Sequence, residues 1–191
     1  TLPIFCTDGV AEFDLATQRF KTLLQGNVDA IYFNEKLYIG KREEVFVYNE
    51  STGNFDLFYH LAGKNITLSC LHLDKNKNLW MGTTSNGIYC LSEDKSLSRP
   101  VTKGNITSIY EDSSNELWIG SWEEGLYRVK TDGSIENLRH NPMNTNSLCS
   151  NFVRSCCEDN SGDLWIGTFN GLNRYDRETG KFHLYTANGN S

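Results

Sequence analysis

One tetrad constrains this chain more than anything else in it. Leu-Trp-Ile-Gly stands at Leu164 to Gly167 and at Leu117 to Gly120. It returns as Leu79-Trp80-Met81-Gly82 and, with tyrosine, as Leu37-Tyr38-Ile39-Gly40. The last copy is a short apolar strand led in by Asn160-Ser161-Gly162-Asp163, residue types that favour chain reversal. A tight turn and a second strand follow: Gly87-Ile88-Tyr89, Gly125-Leu126-Tyr127-Arg128 and Gly171-Leu172-Asn173-Arg174-Tyr175. In the longest of these, apolar and polar residues alternate as in a half-buried strand. Gly9 to Phe20 repeats the glycine, aromatic, aspartate, threonine and phenylalanine of Gly171 to Phe182, and Tyr48 to Phe55 repeats the ending. Phe152 to Cys157 leads into the last copy and Phe182 to Tyr185 closes it. The unit is thus four antiparallel strands in about forty residues, and it recurs along the chain.

A period near forty built from four strands is that of propeller blades. Helical repeats of similar length need apolar residues at i, i+3, i+4 and i+7 through three turns, and no window supplies them. The sequence predicts an all-β chain with one β-propeller region over residues 1–191. It divides into a partial blade at 1–26 and four complete four-stranded blades at 27–64, 65–104, 105–146 and 147–191. The first is partial because nothing precedes Leu2-Pro3-Ile4-Phe5-Cys6 to act as its innermost strand. Pro100 falls in an outermost strand, where a missing N–H does least harm. The polar run His140 to Leu148 is expected as a surface loop. An open arc of blades would show more apolar surface than a soluble monomer carries. These residues are therefore expected to be part of a larger propeller; the alternative is a five-bladed ring whose first blade borrows a strand.

Charge and cysteine usage narrow the partners. The net charge is −6, and the one basic pair, Lys41-Arg42, is followed at once by Glu43-Glu44. That excludes the basic stripe a nucleic-acid surface needs. No apolar run approaches the roughly eighteen residues of a membrane helix. Six cysteines (6, 70, 90, 149, 156, 157) and four histidines (60, 72, 140, 183) are scattered without Cys-x2-Cys spacing, so no metal or other cofactor is expected. The cysteines read as small buried side chains rather than disulfides. Cys70 occupies the slot of Ser108 and Ser155, and Cys156 and Cys157 must point to opposite faces of their strand. Asn49, Asn65 and Asn105 head sequons that matter only in a glycosylating source.

The run Asp159 to Thr168, then Gly171 to Asp176 and Thr179-Gly180-Lys181-Phe182, resembles the two-component regulator propeller repeat. So does Asn141-Pro142 to Asn151, with its Ser-Leu-Ser-type lead into the inner strand. The likeness covers nearly the whole chain; it loosens where Glu44 replaces the hallmark glycine and is partial in the first blade. The resemblance implies the periplasmic sensor region of Bacteroidetes hybrid regulators. There such arrays form seven-bladed propellers ahead of a β-sandwich, a membrane helix and a histidine kinase, detect oligosaccharides and switch on polysaccharide-utilisation genes. It implies further blades, signalling domains and a dimer as partners within the full-length protein.

Tyr38, Trp80, Trp118 and Trp165 recur at one slot, which packing between blades explains better than repeated ligand sites. Asp74, Asp112 and Asp159 head turns and suit bonds to backbone N–H two residues on rather than calcium. Function is expected where blades differ, on the loops between second and third strands. The candidates are Lys41, Arg42, Asn86, Trp122, Glu123, Glu124, Phe169 and Asn170. Trp122 is the one tryptophan outside the repeated slot, and an aromatic face beside carboxylates and amides suits a sugar ring. Lys41 and Arg42 suit an anionic sugar, although Glu43 and Glu44 are placed to neutralise them. No catalytic constellation stands out, so the expected function is a non-catalytic sensory module. Alternatives are a propeller glycosidase or lyase using Glu123 and Glu124, and a protein-interaction scaffold.

Overall fold

A computed structural model shows the chain as five antiparallel sheets in sequence order. It describes residues 2–6, 9–26, 28–34, 36–62, 66–98, 101–186 and 189–190, of which 2–6, 30–34 and 189–190 are described by backbone alone. The first sheet holds β1 (Leu2–Cys6), β2 (Gly9–Asp14) and β3 (Arg19–Gln25). The second holds β4 (Ala30–Asn34), β5 (Lys36–Lys41), β6 (Glu44–Asn49) and β7 (Asn54–His60). The third holds β8 (Leu68–Leu73), β9 (Leu79–Thr83) and β10 (Ile88–Leu91). The fourth holds β11 (Ile106–Glu111), β12 (Leu117–Ser121), β13 (Leu126–Val129) and β14 (Ile135–Leu138). The fifth holds β15 (Val153–Glu158), β16 (Leu164–Thr168), β17 (Gly171–Asp176), β18 (Lys181–Thr186) and β19 (Gly189–Asn190). Pro100, Asn65 and the Cys6 side chain lie outside the described residues.

Each sheet is a simple meander, and the tetrads sit on β5, β9, β12 and β16. Because side chains alternate across a strand, one tetrad serves two seams. Leu117 and Ile119 pack with Trp80, Ile88 and Ile106 against the third sheet. Trp118, between them, turns the other way, into a cluster with Leu164, Ile166 and Tyr175 of the fifth. Leu79 and Met81 face the second sheet in the same way, and Leu37 and Ile39 face the first. The apolar core is therefore a row of seams between successive sheets, the propeller arrangement expected from the repeat.

The tetrad glycine is required by close approach. A Cβ on Gly120 would lie 2.5 Å from Ser108 Oγ and 2.8 Å from Val153 Cγ1, which belongs to the next sheet. On Gly82 it would meet Cys70 Sγ at 2.5 Å and Ile106 Cγ2 at 2.8 Å. Cys70 and Ser108 thus share a slot facing the glycine, as the repeat alignment predicts. Polar groups stitch the same seams. Thr107 Oγ1 donates to Val153 O at 2.7 Å, and Ser69 Oγ donates to Ile106 O at 2.5 Å. At the opposite strand end Ser113 N–H donates to Glu158 Oε2 at 2.8 Å.

Two details differ from the expected blades. Among the described residues of 65–104 there are three strands rather than four. Among the described residues the outermost position carries a Leu91–Leu97 bridge, a Cys90 N–H bond to Ser98 Oγ, and Ser98 and Val101 N–H groups donating to Cys90 and Ile88 carbonyls. The fifth sheet instead gains β19 as an added edge strand. In the second sheet Lys41 pairs directly with Glu44 across the hairpin. The left-handed residue there is Arg42, at φ 53°, so the position of Glu44 no longer needs a glycine.

Candidate recognition face

In the third, fourth and fifth sheets the loops between the second and third strands are built alike. The hydroxyl ending each second strand folds over its hairpin: Thr83 and Ser121 Oγ donate to Gly87 and Gly125 O at 2.7 Å, and Thr168 Oγ1 to Gly171 O at 2.9 Å. The next residue donates its N–H to the chain just ahead of the innermost strand. Thr84 bonds Thr67 O, Trp122 bonds Asn105 O and Phe169 bonds Phe152 O. The backbone thus fixes Thr84, Trp122 and Phe169 at one end of successive sheets, and only the side chains differ.

In the fourth and fifth sheets that end is aromatic. Trp122 meets Phe152 edge to face with ring centroids 5.3 Å apart, and Phe152 meets Phe169 at 6.2 Å. A backbone bridge joins Trp122 to Phe152 across the two sheets. Phe169 is 73% exposed although it is a large apolar side chain. The Arg154 guanidinium lies over the Trp122 ring, 5.5 Å from its centroid. The three rings and the cation form one continuous surface.

The other predicted residues are placed differently. Glu124 is ion-paired with Arg139, whose Nη2 also donates to Glu123 O at 3.1 Å. Asn137 Nδ2 donates to Glu124 O at 2.9 Å. One of the two acids is thus committed within its own sheet. Glu123 is exposed, in a left-handed conformation at φ 102°. Lys41 and Arg42 are exposed on the second sheet's hairpin, where Arg42 N–H donates to Asp29. Glu43 and Glu44 do not neutralise them by direct ion pairs; Glu44 lies 3.6 Å from His60 instead. Asn86 is held by Thr83 and bridged to Gly104. Asn170 is exposed beside Phe169. The structure therefore brings Trp122 and Phe169 together and leaves Lys41, Arg42 and Asn86 on other hairpins.

Sequence reasoning passed over Phe152 and Arg154, reading both as strand. Aligning the inner strands supplies the missing signal. Phe152 stands where Thr67 and Asn105 stand, and Arg154 where Ser69 and Thr107 stand.

The repeated residues have structural roles. Trp80, Trp118 and Trp165 each donate Nε1–H to an aspartate six residues earlier, Asp74, Asp112 or Asp159, at 2.8 to 2.9 Å. Those aspartates also accept backbone N–H groups in their turns. Burial pushes the Asp112 carboxyl up, but Trp118, the Arg177 guanidinium at 2.7 Å and the Glu116 N–H outweigh it and hold it below the usual range. Tyr38 is buried and packs edge to face on Phe58. Trp165 keeps the slot and its aspartate bond but is part-exposed, its ring tilted against Tyr185 of its own sheet. Among the described residues no further sheet covers that face.

The five described cysteines are free thiols. Burial pushes Cys70 and Cys156 up to about 12 and Cys90 to about 11, so these three are not reactive thiolates. Cys156 packs on the Trp118 cluster, whereas Cys157, on the opposite face, is exposed and not the buried side chain expected. Among the described residues no group of three or more His, Cys, Asp or Glu could hold a metal ion.

Residues 60–85, 100–123 and 147–170 match the family described as Two component regulator propeller. No curated protein matches the chain. Among solved structures it is similar to virginiamycin B lyase from Staphylococcus aureus, with TM-score 0.72 and 14% identity over 94% of this chain and 63% of that one. It is similar to the extracellular domain of a hybrid two component system from B. thetaiotaomicron, with TM-score 0.69 and 20% identity over 97% of this chain and 32% of that one. An auxiliary nutrient binding protein from B. thetaiotaomicron follows at TM-score 0.59 and 16% identity, over 82% and 40%. The chain spans under two thirds of the lyase and about a third of the extracellular domain. At such identities these likenesses speak for the fold alone. Repeat and fold agree on a β-propeller chain, three stretches of which match the two-component regulator propeller repeat.

Proposed function

We propose that the chain is a non-catalytic recognition region in the sensor of a two-component regulator. It lies outside the cytoplasm, in the periplasm of its source, and binds an oligosaccharide on the face formed by Trp122, Phe152 and Phe169. The observation that carries this reading is the continuous aromatic row, Phe169 exposed and Trp122 and Phe152 part-exposed, at the end of the sheets where the repeat holds the backbone constant and lets side chains vary. Sugar rings present C–H faces that stack on aromatic rings while their hydroxyls take hydrogen bonds. Exposed backbone and polar groups of Asn170 and Glu123 flank the row. The family match supports a regulatory rather than catalytic setting.

Paired-acid catalysis has less support. Glycosidase carboxyls face each other across roughly 5 to 10 Å, and Glu124 is tied to Arg139. In the full-length protein the bound sugar would act by favouring one of two arrangements of the sensor, which requires unequal affinity for them. The test is calorimetric titration of the chain with a panel of neutral and acidic plant and host oligosaccharides, beside the Phe169→Ala variant. Binding that Phe169→Ala weakens severalfold is the expected result. Absence of heat or thermal shift across the panel, or turnover of any member, would overturn the reading.

A further inference from the structure

The innermost strands of the third, fourth and fifth sheets share an irregularity the repeat pattern does not announce. The ladder slips between Leu68 and Cys70, between Ile106 and Ser108, and between Val153 and Ser155. The extra residues are Ser69, Thr107 and Arg154. A bulge frees one residue from the ladder and re-aims its side chain. In two sheets it aims a hydroxyl at the next sheet: Ser69 Oγ onto Ile106 O, and Thr107 Oγ1 onto Val153 O. In the fifth sheet the same device carries an arginine.

Arg154 is unlike the other arginines of the fourth and fifth sheets in its surroundings. Arg128, Arg139, Arg174 and Arg177 each lie within ion-pair distance of a carboxylate. Among the described residues Arg154 has the Trp122 ring and no carboxylate partner, and it is exposed. A guanidinium held over an indole still has its N–H fork free at the edges, the geometry that takes a carboxylate or sulfate through two parallel bonds. In a chain of net charge −6, an exposed cation stacked on the aromatic row is a local exception. The nearby acid Glu124 is already neutralised by Arg139.

We infer that Arg154 makes the aromatic face selective for acidic sugars: the ligand is an oligosaccharide bearing a carboxylate or sulfate on the residue that stacks at Trp122. The inference rests on the proposal that this face binds sugar. Trp122, Phe152 and Phe169 supply the apolar platform common to any glycan, and Arg154 decides which glycan.

The experiment uses a polygalacturonate-type oligosaccharide and a sulfated glycosaminoglycan oligosaccharide, each beside its carboxyl-reduced or desulfated counterpart. Each is titrated into the chain and its Arg154→Gln, Arg42→Gln and Thr107→Val variants. The expected result is binding of an acidic member at least about tenfold tighter than its neutral counterpart, as a charge-assisted bond supplies. That preference should vanish in Arg154→Gln, survive in Arg42→Gln, and weaken as salt is raised. Equal binding of charged and neutral forms would overturn the role of Arg154 while leaving the sugar-binding face intact. No binding of any member overturns both. If Arg154→Gln lowers the denaturation midpoint as much as Thr107→Val and leaves the preference unchanged, Arg154 is only a seam residue and the inference fails.

Discussion

Trp118 and Trp122 lie four residues apart on one hairpin of one sheet, and they live in different worlds. Trp118 is 0% exposed, donates its N–H to Asp112 and is capped by Tyr175 of the next sheet, ring centroids 5.1 Å apart. Its aspartate bond recurs at Trp80 and Trp165. Trp122 is part-exposed and has no such aspartate; its neighbours are Phe152 and the Arg154 cation. The repeat prescribes the first residue and leaves the second free. In a chain of similar units, what recurs holds sheet to sheet, and what occurs once is available for a ligand.

The comparison is most easily broken at its buried half. Trp118→Ala should cost about 3 to 5 kcal/mol of stability, as for a fully buried aromatic, in urea unfolding followed by circular dichroism. Trp165→Ala, the same slot on a face no described sheet covers, should cost only about 1 to 2 kcal/mol, because much of the ring already meets water. Equal losses would mean that the neighbouring sheet does not determine what the slot is worth. The partner strand shows the same gradient: Leu126 is 0% exposed and its counterpart Leu172 40%.

A smaller effect is expected at the glycine. Gly120→Ala must displace both Ser108 Oγ and Val153, at about 1 to 3 kcal/mol for overpacking. A Cβ on Gly167 meets only Ser155 Oγ, at 2.8 Å, as its one contact below 3.4 Å, so Gly167→Ala should unfold at a higher urea concentration than Gly120→Ala. A reversed order would show that the next sheet does not press on this position.

Asp112 ties the turn to the tryptophan and to Arg177 of the fifth sheet. Its folded pKa is depressed, so its stabilisation is full above the ordinary carboxylate range and is lost as pH falls through the lowered value. Asp112→Asn should cost about 1 to 3 kcal/mol at neutral pH and nearly nothing in strong acid. A cost independent of pH would assign the role to shape rather than charge.

The architecture was legible because the pattern that encodes it is periodic. Alternation within Leu-Trp-Ile-Gly specifies strands, faces and seams together, and Asp-to-Trp spacing places the turn. Three things were not. Among the described residues Leu97, Ser98 and Val101 make isolated bonds to β10, Ser98 using its hydroxyl as well as its N–H, and no composition rule distinguishes that from a strand. Exposure of Trp165 depends on what lies beyond its sheet, not on its own residues. The recognition face was half legible: Trp122 and Phe169 stand out as unrepeated loop aromatics. Phe152 and Arg154 sit at a strand start and a bulge, and a bulge is a register event between strands, invisible along one of them.

The most direct measurement sets stability beside binding for the two tryptophans. Denaturation midpoints and oligosaccharide affinities would be determined on the same preparations of Trp118→Phe and Trp122→Ala. The account predicts that Trp118→Phe lowers the midpoint and keeps the affinity, whereas Trp122→Ala keeps the midpoint and loses most of the affinity. If Trp122→Ala instead unfolds as readily as Trp118→Phe while binding normally, Trp122 is one more packing residue and the recognition face lies elsewhere.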